Sequence, residues 1–144
     1  TLNDWHLQNE VWTNPNTLTK TISHLNIFNP NKGWSSGPTA LWFASTKAYK
    51  TIYILGFDYV GLGKDNQEVN NVYADTPNYK TKRDKATYYG NWTRQTMMTA
   101  NSFPKIRYIR VVPEGDYFVP DHLKDLQNFT HITYKEFKEK FKLL

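Results

Sequence analysis

The chain has no cysteine among its 144 residues, which excludes a disulfide framework and a thiolate zinc site. It has no apolar run long enough to span a membrane and no signal-peptide pattern, so a cytoplasmic location without a membrane span is expected. No internal repeat and no second domain is visible, and residues 1–144 read as a single α/β domain. A chain of this length can bury a core without covalent staples. Its first residue is threonine rather than methionine, which points to processing or to a piece of a longer chain. Acidic residues are the scarcer charge, 13 against 18 Lys and Arg, giving a net charge of +5. Mild basicity favours an anionic partner: a nucleotide, a phosphate, nucleic acid or an acidic membrane.

What the chain does have is aromatic surface: 10 Tyr, 8 Phe and 5 Trp on a polar background with a mean hydropathy of −0.70. Disordered chains are poor in aromatics, so this one folds. The same rings serve core packing and, where exposed in a cavity, stacking on sugars or bases.

The organising stretch runs from Gly33 to Tyr59. Ser36 or Gly37 can cap a helix with Pro38 at its first position, where the missing N–H costs nothing. Leu41, Ala44 and Ala48 recur at helical spacing, and the small Ala40 and Ala44 let the helix lie close to a sheet. Thr51 to Phe57 is β-branched and aromatic, the pattern of a strand covered on both faces. Gly56-Phe57-Asp58-Tyr59 then stands at the strand's carboxyl end, where open α/β sheets bind ligands. Asp58 and Tyr59 are therefore the first site candidates, although Asp at such a position also serves as a plain turn residue.

Before this stretch, Glu10 to Thr13 suits a short strand, Trp5 and Trp12 suit anchors, and Thr17 to Leu25 reads as a helix on Leu18, Ile22 and Leu25. After it, Val60 to Lys85 is a polar loop of a length that is usually functional. Gly61-Leu62-Gly63-Lys64 lacks P-loop spacing, and Asp65, Glu68 and Asp75 lack the spacing of an EF-hand, so no metal site is expected. A helix from about Trp92 to Ser102, a strand from Ile106 to Val112, a short helix from Pro120 to Leu126 and a strand from Phe129 to Ile132 follow. Thr133 and Glu136 form a capping box opening a last helix to Leu144. This order is that of a mostly parallel, Rossmann-like sheet flanked by helices, with one or two further strands expected either in the amino-terminal region or outside this chain.

Ser36-Gly37, the alanine-containing helix and Tyr49 to Tyr59, followed by Tyr73-Ala74-Asp75-Thr76, Tyr88-Tyr89-Gly90-Asn91 and a strand ending at Pro113, resemble the second half of small bacterial sialyltransferases. The likeness covers roughly residues 35 to 113. It implies a Rossmann-like glycosyltransferase acting on a CMP-sialic-acid type of nucleotide-sugar. It further implies Tyr59 and Tyr73 facing the departing phosphate and Asp58 placing the sugar or acceptor. Ser35, Ser36, Gly37, Asp75, Asn91 and Trp92 would then contact substrate. The family places a histidine base where this chain has Asn91, and asparagine cannot accept a proton from a hydroxyl at neutral pH. No Gly-rich phosphate turn precedes Trp34 either.

Three readings follow. The first is a glycosyltransferase-like enzyme without a cofactor, whose partner is a nucleotide-sugar or a related anionic small molecule. The second is a non-catalytic nucleotide- or sugar-binding module that kept the fold and lost the base. The third is nucleic-acid binding through Lys64, Lys80, Lys82, Arg83 and Lys85, disfavoured because such a mixed-charge run is usually a solvated surface. Self-association as a homo-oligomer is left open.

Overall fold

The computed structural model describes residues 10–13, 26–27 and 32–143. The helix expected over Thr17 to Leu25 and the anchor Trp5 fall outside them. β1 (Trp12–Thr13) and β2 (Asn26–Ile27) pair in parallel as a two-stranded ribbon of their own. Trp12 rests on Phe43 with 4.3 Å between ring centroids, which ties this ribbon to the first helix.

That helix, α1 (Ser36–Ser45), starts two residues before the expected first position at Pro38, with Ser35 as its N-cap. Pro38 is thus the third helical residue, still among the first four whose N–H has no partner within the helix. The buried face is Pro38, Leu41 and Ser45 rather than Leu41, Ala44 and Ala48; Ala48 is exposed beyond the helix end at a φ of 60°. Ser45 is tolerated there because its hydroxyl donates to the Leu41 carbonyl at 2.7 Å and accepts from the Tyr108 hydroxyl at 2.8 Å. A buried hydroxyl so paired avoids the cost of an unsatisfied group.

The main sheet has three parallel strands in the order β3 (Thr51–Ile54), β4 (Arg107–Val112), β5 (Phe129–Thr133). Between β3 and β4 the chain runs through the long loop and α2 (Gly90–Ser102). Between β4 and β5 it makes the short α3 (Asp121–Lys124). α4 (Tyr134–Phe141) closes the description. The sheet register puts Ile52, Ile54, Tyr108, Arg110, Phe129 and His131 on one face and Tyr53, Ile109 and Val111 on the other. The first face packs with Leu41 of α1, Ala100 of α2 and Leu123 of α3 in the main core. The second is covered by α4, whose Phe137 and Phe141 meet the Tyr53 ring at 5.4 and 5.0 Å. Both faces are therefore covered, as the apolar runs require. The three-stranded parallel sheet and its flanking helices make a mixed α/β architecture.

β3 ends at Ile54, three residues before the expected Phe57, because Gly56 turns the chain with a φ of 74°. The capping box is realised in full: Thr133 Oγ1 accepts from the Glu136 N–H, and Glu136 Oε2 accepts from the Thr133 N–H at 2.7 Å.

Candidate functional site

A cleft of about 600 Å³ opens at the carboxyl end of β3. The start of α1 (Ser35 to Pro38) forms one wall, and Tyr89 and Trp92 at the start of α2 form another. The turn Gly56 to Val60 is the floor, and Asn70, Asn71, Tyr73 and Tyr79 of the long loop close over it. The volume is that of a small-molecule cavity, and it lies at the strand end where open α/β sheets as a class bind ligands. Six of the lining side chains are aromatic, and Asp58 is the single charged one.

Close approach builds the first wall. A Cβ on Gly37 would stand 2.9 Å from the tip of the Phe57 ring, so glycine lets α1 seat its first turn against the floor. Ser35 Oγ donates to Gln95 Oε1 at 3.0 Å and pins that turn to α2. The loop is held just as closely. A Cβ on Gly61 would lie 2.2 Å from the Asn66 carbonyl oxygen, so only glycine permits the tight reversal there. Leu62 and Glu68 then exchange backbone hydrogen bonds at 3.0 Å, Val69 donates to the Lys82 carbonyl at 3.2 Å and Ala86 donates to that of Gln67 at 2.7 Å. Asn70 Nδ2 donates to the Val60 carbonyl at 3.1 Å and reaches Asp58 Oδ2 at 3.4 Å, which fastens the lid to the floor.

The floor is strained. Tyr59 has a φ of 60°, in the left-handed region that a bulky side chain avoids. Such a conformation costs roughly 1–3 kcal/mol and persists only where neighbours impose it. Three contacts do so. The Tyr59 hydroxyl bonds Thr96 Oγ1 at 2.9 Å; because Thr96 spends its own proton on the Trp92 carbonyl, the tyrosine is the donor. The Arg110 guanidinium lies over the Tyr59 ring at 5.2 Å. Arg110 Nη2 donates to the Asp58 carbonyl at 2.9 Å and Nη1 donates to the Phe118 carbonyl at 2.6 Å.

The structure brings Ser35, Ser36, Gly37, Asp58, Tyr59, Tyr73 and Trp92 to one cleft. It corrects three expectations. Tyr59 is only 4% exposed and its proton goes to Thr96, so its phenol does not face a phosphate. Burial raises the Tyr59 pKa, opposed by Thr96 and Arg110, and the group stays neutral. Asp75 stands away from the cleft, where Oδ1 accepts from the Lys82 N–H at 2.9 Å and Oδ2 pairs with Lys82 Nζ at 3.6 Å. Asn91 also stands apart, its Oδ1 accepting from Arg94 Nη2 at 2.9 Å. Tyr73, in contrast, stands at the rim, 64% exposed.

Sequence reasoning missed Phe57, Asn70, Asn71, Tyr79 and Tyr89 in the lining, and Arg110 beneath it. Tyr89 is a half-buried phenol in the same lining. Burial pushes its pKa up, the Asn70 backbone opposes the rise, and Tyr79 and Asp58 add to it. It therefore keeps its proton at neutral pH and remains a hydrogen-bond donor. Arg110 left one signal in the sequence, a charge within the apolar run from Tyr108 to Val112, which calls for a buried partner without saying which. Among the described residues no three acidic or histidine side chains converge on a point, and no helix is long and apolar enough to cross a membrane. No known family model, curated protein or solved structure matches the chain.

Proposed function

We propose that this chain is a glycosyltransferase-like domain that holds a nucleotide-sugar in the cleft at the end of β3. One observation carries the reading: a lone carboxylate, Asp58, stands among six aromatic side chains in a cavity of about 600 Å³ at a parallel strand's carboxyl end. Aromatic faces hold bases and sugar rings, and each stacked base contributes about 1–3 kcal/mol by alanine substitution. Phenol protons of Tyr73, Tyr79 and Tyr89 can meet developing charge on a phosphate without a full positive charge. Asp58 is the one cleft side chain able to take the proton of an acceptor hydroxyl. That transfer accompanies formation of the acceptor oxygen–sugar bond and departure of the nucleotide with its bonding electrons. The resemblance to bacterial sialyltransferases selects CMP-sialic acid as the first donor to try.

A non-catalytic binding module is the second reading. It is favoured by Asn91, which stands outside the cleft bonded to Arg94, and by the absence of a histidine from the lining. Thermal shift against a nucleotide and nucleotide-sugar panel tests binding, because a ligand of the folded state raises its stability by mass action. CMP or its sugar conjugate is expected to raise the melting temperature. Tyr59→Phe should keep that rise while lowering the ligand-free stability by about 1–2 kcal/mol. Donor hydrolysis or transfer lost in Asp58→Asn, with binding retained, selects the enzyme; binding with no turnover in wild type selects the module. No response to any nucleotide or sugar contradicts both.

A further inference from the structure

We propose that Arg110 is a positioning residue: its guanidinium ties the Asp58 turn to the loop after β4 and so sets where the Asp58 carboxylate stands in the cleft. This rests on the assignment of the cleft as the ligand site.

An arginine in the middle of the central strand is 3% exposed, and the two ion pairs among the described residues, Lys82–Asp75 and Lys124–Asp121, leave it out. Burying a guanidinium with no carboxylate in ion-pair contact is costly, the nearby Asp58 charge offsetting only part of it, and a methionine or leucine would fill the same space without that cost. What an apolar side chain would not supply is the fork. Nη1 and Nη2 reach two carbonyls from different loops, Phe118 at 2.6 Å and Asp58 at 2.9 Å, in one rigid plane. A lysine offers a point charge and cannot hold both in that geometry. The Asp58 carbonyl is also the peptide oxygen immediately before the strained Tyr59, so this bond acts on the peptide whose rotation aims the Asp58 side chain. The Tyr59 ring under the guanidinium and its hydroxyl on Thr96 fix the other side of the same turn. The strained turn and the buried fork thus explain each other: neither would persist alone.

Hydrogen exchange and CMP titration of wild type, Arg110→Lys and Arg110→Met, each also in an Asp58→Asn background, test this. Arg110→Met should speed exchange about tenfold or more in 57–60 and 116–119 while the amides of 107–112 keep their protection, with Arg110→Lys between the two. CMP affinity should fall about tenfold in Arg110→Met and fall no further when Asp58 is already asparagine. Exchange raised evenly over the whole sheet, or losses from the two sites that simply add, would mean a merely structural arginine and overturn the proposal. If Arg110→Met fails to fold, Arg110→Lys carries the same comparison. If wild type binds no CMP, the ligand assignment falls, and local exchange in the two loops still decides whether the clamp exists.

Discussion

His131 shows how much one residue's surroundings decide. Its ring sits opposite Arg110 in the β4–β5 register, 5.4 Å from Tyr117 and 5.7 Å from Phe129. Its Nε2 is sealed from solvent with no hydrogen-bond partner among the described residues. Burial first, and the Arg110 charge second, hold its pKa below the ordinary imidazole value. The folded protein therefore binds this proton less readily than the unfolded chain, whose histidine titrates near about 6.5. Stability present above that pH is lost as the pH falls from there towards the folded value. Urea unfolding at pH 7.5 and 5.5 should show a drop for wild type that is smaller in His131→Phe; equal drops would contradict it. Composition and spacing carry no hint of this, because a histidine's role depends on which neighbours the sheet register delivers.

At the scale of elements, the join between α2 and the sheet depends on Asn128. Its amide nitrogen is shared between the carbonyls of Ala100 at 3.0 Å, Ile106 at 3.1 Å and Phe103 at 3.3 Å. These are the end of α2, the turn after it and the residue leading into β4, so one side chain satisfies acceptors that the helix end leaves over. Asn128→Ala should lower stability by roughly 1–3 kcal/mol, read as a shift of the chemical-denaturation midpoint. A shift below a few tenths of that would show that water replaces the amide without loss. The elements themselves were largely legible. An apolar run on both faces marked β4, a brief run from Phe129 to Ile132 marked β5, the Thr133–Glu136 pair marked the start of α4, and Phe103-Pro104 marked the end of α2. Their edges were less so: Gly56 stopped β3 early and Ser35, rather than Ser36 or Gly37, capped α1, because caps are decided by local backbone angles that composition does not specify.

On the whole molecule, parallel connectivity is what makes a site. Strands that all run the same way place every strand-to-helix turn at one end, and the long loop returns over the first of them. Placing Asp58 at that end needed only the strand's direction, which is why it could be read from sequence. Tyr89, Tyr79 and Arg110 could not, since they reach the cleft or its floor through the fold of a loop and a cross-strand register. A second hollow, at the opposite end of the sheet beside Lys50, Lys105 and Arg107, is wider and shallower and holds no comparable enclosure of aromatic and acidic groups. Backbone amide chemical shifts during a CMP titration weigh the two ends directly. The account predicts saturable shifts at 35–37, 56–60, 70–73 and 89–92. Shifts confined to the Lys50–Arg107 end, or none anywhere at millimolar CMP, would contradict it.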